Sequence, residues 1–255
     1  EVQRGGVIVE GIRGEEDFRW NLLPTFQGFT VAPLFDGVLA EAYRASRSRE
    51  KAGEVASAGE ELERAATLAE ENHCAGSALW LRAQAAQLRA KARQWPEADS
   101  GYETALAQAR AMGTAGVEAH LHMAWAEGLL LHGDFARARE QLERALRLEE
   151  KDRPEDLGVA TVLLRLGNVM ERQDDLEEAD RLYRRAHDLI LRAAPGSGGE
   201  AAAANNLAVS TGRLGDLAQA ERYAARSHPE LRPYRSTVSA VGSVRHCNEK
   251  SRGDR

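Results

Sequence analysis

One cadence returns every 40 to 41 residues along the chain, and a period of that length decides an architecture before any single residue does. It is clearest in Gly133-Asp134-Phe135-Ala136-Arg137-Ala138, Asp174-Asp175-Leu176-Glu177-Glu178-Ala179 and Gly215-Asp216-Leu217-Ala218-Gln219-Ala220. Steps of 40 backwards reach Gln94-Trp95-Pro96-Glu97-Ala98 and Glu54-Val55-Ala56-Ser57-Ala58. One column reads Val55, Trp95, Phe135, Leu176, Leu217. Three residues on, every copy has alanine: Ala58, Ala98, Ala138, Ala179, Ala220. Further columns hold Leu62, Tyr102, Leu142, Tyr183, Ala224 and then Ala65, Ala105, Ala145, Ala186, Ser227. Offsets of 0, 3, 7 and 10 are the apolar stripe of one helix.

Upstream of each stripe lies a column of small residues, Ser46, Ala86, Ala126, Gly167 and Ala208, beside Ala45, Ala85, Trp125, Leu166 and Leu207. Each unit is therefore predicted to be two helices joined by a short turn around Gly53, Arg93, Gly133, Asp174 and Gly215. Small residues stand where the partner helix must come close. One such pair cannot bury its apolar face alone, so the pairs must stack.

Small residue, turn, Gly-Asp-large apolar, Ala, then aromatic or Leu, then Ala: this order resembles the tetratricopeptide repeat, whose standard length is about 34 residues. The longer spacing resembles the variant of kinesin light chains and of many bacterial scaffold and regulatory proteins. Ala204-Asn205-Asn206-Leu207-Ala208 is similar to the Leu-Asn-Asn-Leu-Ala opening of those units, and Leu163-Leu164-Arg165-Leu166-Gly167-Asn168 with Met170 is another such first helix. The resemblance covers roughly residues 39–228 and implies an all-α, right-handed α-solenoid of four to five stacked antiparallel helix pairs. It speaks to fold far more than to function.

Pro and clustered Gly mark the exit loops between units, at Glu149–Pro154, Ala194–Gly199 and Gly113–Gly116. A helical stripe of Leu34, Phe35, Val38, Leu39, Ala42 and Tyr43 starts an entry helix near Pro33. The organisation expected is an N-terminal segment (1–30) of uncertain structure, holding Gly5–Gly11, then a repeat domain (31–228), then an irregular, flexible tail (229–255). The first unit is degenerate, with Glu41 where later units have Leu81, Leu121 and Val162, and the first residue, Glu1, is not Met.

No apolar run approaches the roughly 20 residues of a membrane span, and no basic, then apolar, leader opens the chain. A net charge of −6 speaks against nucleic-acid binding through bulk charge. Two distant cysteines, Cys74 and Cys247, are too few for a disulfide framework, so free thiols in a reducing compartment, the cytoplasm, are expected.

Catalytic chemistry finds little support. There is no GxxxxGK[ST] loop and no GxGxxG. His120 and His122, two apart, point about 200° apart on a helix and do not share a metal. The dipeptides His73-Cys74 and His246-Cys247 have no spacing that brings them into one zinc site. Glu60, Glu61, Glu63, Glu103 and Glu143 read as solvated helix faces carrying i,i+4 pairs. No enzyme, cofactor or metal is expected; a cryptic metal enzyme built on the His-Cys dipeptides is the rival from that class.

A binding surface remains. By the resemblance, the first helix of each pair lines a concave groove. Positions −6, −3, +1 and +5 from the small-residue column share one face: Trp80, Ala83, Gln87, Lys91; His120, Met123, Glu127, Leu131; Thr161, Leu164, Asn168, Arg172; Ala202, Asn205, Val209, Arg213. The candidate groove residues are Trp80, Gln87, Lys91, Met123, Glu127, Asn168, Arg172, Asn205 and Arg213. Asparagine donates to and accepts from a peptide backbone, and arginine holds a carboxylate. Asn168, Arg172, Asn205 and Arg213 thus suit an extended peptide with an acidic group, the alternative being ordinary solvated helix faces. Leu164 stands where the co-chaperone carboxylate clamp uses a basic residue, which speaks against docking of a chaperone tail. The function expected is a non-enzymatic scaffold for a protein or peptide partner, with no nucleic acid and no membrane; the alternative is the sensor or regulatory part of a larger protein. An unfinished solenoid end leaves a homodimer open.

Overall fold

The computed structural model describes residues 36–227 apart from Arg153. The segment 1–30, the entry-helix start near Pro33, the tail 229–255 and the dipeptide His246-Cys247 lie outside the described residues. Ten helices follow one another: α1 (Asp36–Lys51), α2 (Val55–Glu71), α3 (Ala75–Lys91), α4 (Trp95–Ala111), α5 (Ala115–His132), α6 (Phe135–Asp152), α7 (Leu157–Arg172), α8 (Leu176–Ala193), α9 (Gly198–Arg213) and α10 (Leu217–Ser227). Among the described residues there is no strand. They make five pairs, and the chain divides into two compact bodies, 1–154 and 155–255, with three pairs in the first and two in the second.

Every turn column of the sequence is a left-handed residue. Gly53, Arg93, Gly133, Asp174 and Gly215 all have φ between 59° and 92°, as do His73 and Gly113 at the exits of the first two pairs. At Gly53 the amide donates to Glu50 O and that of Glu54 to Arg49 O, and the same two bonds recur at Asp174 (to Glu171 O) and Asp175 (to Met170 O). This is the Schellman ending, which satisfies the last carbonyls of a helix and reverses the chain within three residues. The residue that completes the ending also begins the next helix, so Ala58 N–H already donates to Glu54 O.

The acid of the Gly-Asp cadence has a separate duty. Asp134 Oδ1 accepts from Arg137 N–H, Asp175 from Glu178 N–H and Asp216 from Gln219 N–H. Each is the N-cap of a second helix, satisfying an amide that has no partner within the helix. Ser197 caps α9 the same way through Glu200 N–H, while the Glu200 carboxylate accepts from Gly196 N–H. All three expected exit loops are shorter than the sequence implies: Ala115 and Gly116 already belong to α5, α6 continues through Asp152, and Gly198 and Gly199 belong to the first turn of α9. Non-helical backbone among the described residues here is limited to 154–156 and 194–197, each holding a proline.

The alanine and aromatic columns are the core. Ala58, Ala98, Ala138 and Ala179 are buried, as are Leu62, Tyr102, Leu142 and Tyr183. In the first body α3 and α4 come close at Gly101, where an added Cβ would stand 2.9 Å from Ala86 Cβ, and in the second the Tyr183 ring of α8 lies against Gly167 of α7.

Candidate functional site

In the second body, α7 and α9 present the face that the spacing selects. Thr161, Asn168 and Arg172 on α7 and Ala202, Asn205, Val209 and Arg213 on α9 are all exposed, with Leu164 half-buried between them. The two helices are joined across this face. Asn206 Nδ2 donates to Asn168 Oδ1 at 3.3 Å, and Arg213 reaches Glu171 at 3.1 Å and Asp174 at 2.7 Å.

Asn168 is held from below. Tyr183 Oη donates to its Oδ1 at 2.7 Å and stands 3.1 Å from Glu171 Oε2. Burial, and then the Glu171 charge and its hydrogen bond, push the Tyr183 phenol well above its ordinary pKa, so it remains a neutral donor. With both donors on Oδ1, the side-chain amide of the exposed Asn168 is held in one orientation. Asn206, its second partner, was legible as half of the Asn205-Asn206 doublet, but the expected groove positions skip it.

Arg172 and Arg213 differ. Arg213 is committed to two carboxylates, whereas Arg172 is exposed and makes no ion pair among the described residues. Lys91 repeats the role of Arg213 in the first body, reaching Glu50 of the preceding first helix at 2.8 Å. Burial opposes ionisation of Glu50, but Lys91 and then Arg47 prevail and hold its carboxyl below the usual range. A Glu at the end of one first helix and a cation at the end of the next thus tie Glu50 to Lys91 and Glu171 to Arg213. Lys91 and Arg213, both expected groove positions, are thus each paired with a carboxylate of the preceding unit.

The first body offers a less open face. Met123 is only 5% exposed, so it packs inside rather than lining a groove. Trp80 is half-buried against Tyr43, the ring centroids 5.4 Å apart. Gln87, His120 and Glu127 are half-buried, and Leu131, at 66% exposed, is the large apolar residue most open to solvent there. In this body α3 also packs against α5.

Two buried polar clusters escaped the spacing argument. Arg82, on α3, is 7% exposed and pairs with Glu63 at 3.1 Å and Glu70 at 2.9 Å, both from α2. Arg89 adds a second cation to Glu63, and Gln108 from α4 donates to Glu70. Glu63 thus links two helices instead of making an i,i+4 pair on its own, although Glu143 does pair with Arg139 as expected. In the second body Asp180 is buried, accepts from Ser210 on α9 and pairs with Arg184, which in turn donates to Tyr223 on α10. A single Arg among Leu81, Ala83, Ala85 and Ala86 was the available signal for the first cluster.

His122 is buried with Nδ1 2.7 Å from Gln141 Oε1, facing Glu118, which is itself paired with Arg110. Its pKa is lowered, first by burial and also by the Arg110 and Arg144 charges, against the opposing effects of Gln141 and Glu118. The unfolded chain then binds more protons than the folded one, so stability falls as pH drops below about 6.5. Melting temperatures between pH 8 and pH 5 should decline less steeply for His122→Gln than for wild type. His120 lies elsewhere, half-exposed with Nδ1 3.0 Å from Gly116 O, so the two histidines do not converge. Among the described residues no cluster of three or more His, Cys, Asp or Glu side chains is placed to hold a metal, and no helix is long and apolar enough to cross a membrane.

Residues 158–229 match the family model of the tetratricopeptide repeat. No curated protein matches the chain. The fold is similar to the nearly identical TPR-like repeats of a candidate kinesin light chain from Podosopora anserina, at TM-score 0.60 and 18% identity over 75% of this chain and 93% of that one. A substituted form of that same protein gives TM-score 0.62 at 17% identity, over 78% and 96%. BtubC (BKLC) from P. vanneervenii gives TM-score 0.54 at 19% identity, over 79% and 92%. The chain folds as tetratricopeptide-type helix pairs like those of kinesin light chains.

Proposed function

We propose that the repeats form a non-enzymatic scaffold, and that the α7/α9 face holds an extended peptide of a protein partner. The observation carrying this reading is the hold on Asn168, whose oxygen accepts from Tyr183 and Asn206, which leaves its amide N–H pair to donate. A donor fixed before binding loses little freedom on meeting a peptide carbonyl. Asn205, exposed on α9, supplies a second amide, and Val209 and Leu164 supply apolar contact. Arg172, with no ion pair of its own, takes the acidic group of the peptide. The free thiol of Cys74 accords with a reducing, cytoplasmic setting.

Panning a random peptide library tests this. Wild type should select sequences with a recurring Asp or Glu, and Arg172→Ala/Asn205→Ala should lose them by at least tenfold in Kd while keeping the wild-type melting temperature. Adding Asn168→Ala, or making Arg213→Ala, cuts a tie between α7 and α9, so those effects appear in stability as well as in binding. Equal binding by wild type and Arg172→Ala/Asn205→Ala would overturn the assignment of this face.

A further inference from the structure

Tyr183 shares its column with Leu62, Tyr102, Leu142 and Ala224, yet its hydroxyl is used in a way theirs is not. Leu62, Leu142 and Ala224 have no hydroxyl, and Tyr102 donates to the Ala124 carbonyl at 3.2 Å. Tyr183 instead reaches a side chain of the α7 face, Asn168. At the positions of Asn168 and Glu171, the helix before Tyr102 has Gln87 and Ala90.

A phenol has one proton, and two acceptors compete for that of Tyr183. Asn168 Oδ1 lies at 2.7 Å and Glu171 Oε2 at 3.1 Å. A carboxylate is ordinarily the stronger acceptor and draws a hydroxyl to about 2.5–2.7 Å. Here the neutral amide holds the shorter bond. The other oxygen of Glu171 gives the reason: Oε1 accepts from Arg213 at 3.1 Å, so part of the carboxylate charge is answered from α9. Asn206 reaches Asn168 Oδ1 only at 3.3 Å, which leaves Tyr183 as the main hold. An exposed asparagine without such a hold rotates about its terminal bonds, and fixing it on binding costs affinity.

Resting on the peptide-binding reading of the α7/α9 face, we propose that Tyr183 is its positioning residue and that Glu171 tunes it. Tyr183 fixes the Asn168 amide for a peptide carbonyl, and Glu171 loosens that hold by competing for the one phenolic proton. Arg213, by occupying Glu171, keeps the proton with Asn168, which gives this arginine a part in peptide binding without touching the peptide.

NMR relaxation of the Asn168 side-chain amide, in the full chain without peptide, reads the hold directly; the signal is the one lost in Asn168→Asp. Tyr183→Phe keeps the ring against Gly167 and removes only the hydroxyl. In that variant the order parameter of the amide should fall below about 0.6, the flexible range, whereas in Glu171→Gln it should rise above wild type toward roughly 0.85. In Tyr183→Phe/Glu171→Gln the second substitution should add nothing, because no proton is left to share. With an acidic peptide selected on wild type as the probe, Tyr183→Phe should weaken Kd by about three- to tenfold, the cost of ordering one side chain, and Glu171→Gln should tighten it. Equal order in wild type and Tyr183→Phe would overturn the proposal, as would lower order in Glu171→Gln. So would an unchanged Kd in Tyr183→Phe once its amide is loosened. Failure of the face itself shows differently, as no selected peptide or as equal binding by wild type and Arg172→Ala/Asn205→Ala, and it would remove the ground of the proposal whatever the relaxation shows.

Discussion

Gly167→Ala should destabilise the second body by about 3 kcal/mol, at the upper end of what one inserted methyl costs a packed core. A Cβ at this position would stand 2.7 Å from Tyr183 Cδ1. The ring has no easy retreat, since Tyr183 is fully buried and its hydroxyl is tied to Asn168 and Glu171. The third unit solves the same contact with another pair, Ala126 opposite Leu142, both buried. Gly167→Ala/Tyr183→Leu copies that pair and should recover most of the lost stability. Urea denaturation of wild type, the single variant and the double variant decides the matter; a double variant no more stable than Gly167→Ala would show that the tyrosine ring is not what the glycine accommodates. The double variant should still bind peptide poorly, because the hydroxyl that orients Asn168 is gone.

Periodicity made the helices and their turns legible, and local physical chemistry explains why. The columns at Gly53, Arg93, Gly133, Asp174 and Gly215 look unlike one another as residue types, yet all adopt the left-handed conformation that ends a helix. Asp134, Asp175 and Asp216 could have been recognised as caps, because each precedes a helical stripe by one residue. The face chosen by spacing is exposed in α7 and α9, where it carries Asn, Arg, Thr and small residues. It is half-closed in α3 and α5, where Trp80 and Met123 occupy the same positions and turn toward neighbouring helices. Spacing gives direction on a helix and says nothing of the distance to the next one. For that reason the spacing that placed Lys91 and Arg213 in the groove could not show the carboxylates some 40 residues away that pair with them. Arg82 was out of reach for the same reason, its partners lying 12 and 19 residues before it.

Removing the two carboxylates that hold Arg82 should cost far more than removing Arg82 itself. The guanidinium is buried, while Glu70 is more than half exposed and Glu63 partly so. Glu63→Ala/Glu70→Ala leaves a buried cation without a counter-charge, a loss of about 3–5 kcal/mol. Arg82→Leu leaves Glu70 to water and Glu63 to Arg89, 3.1 Å away, and fills the space with apolar volume. That exchange is often neutral, and here it should cost no more than about 1 kcal/mol. The decisive measurement adds Arg82→Leu to the double variant. If the buried charge is the cause, the triple variant unfolds at a higher urea concentration than the double, so that a third substitution restores stability. Should the triple variant be less stable still, the two carboxylates would be acting through helix-surface contacts of their own, and the polar join between α2 and α3 would owe nothing to Arg82.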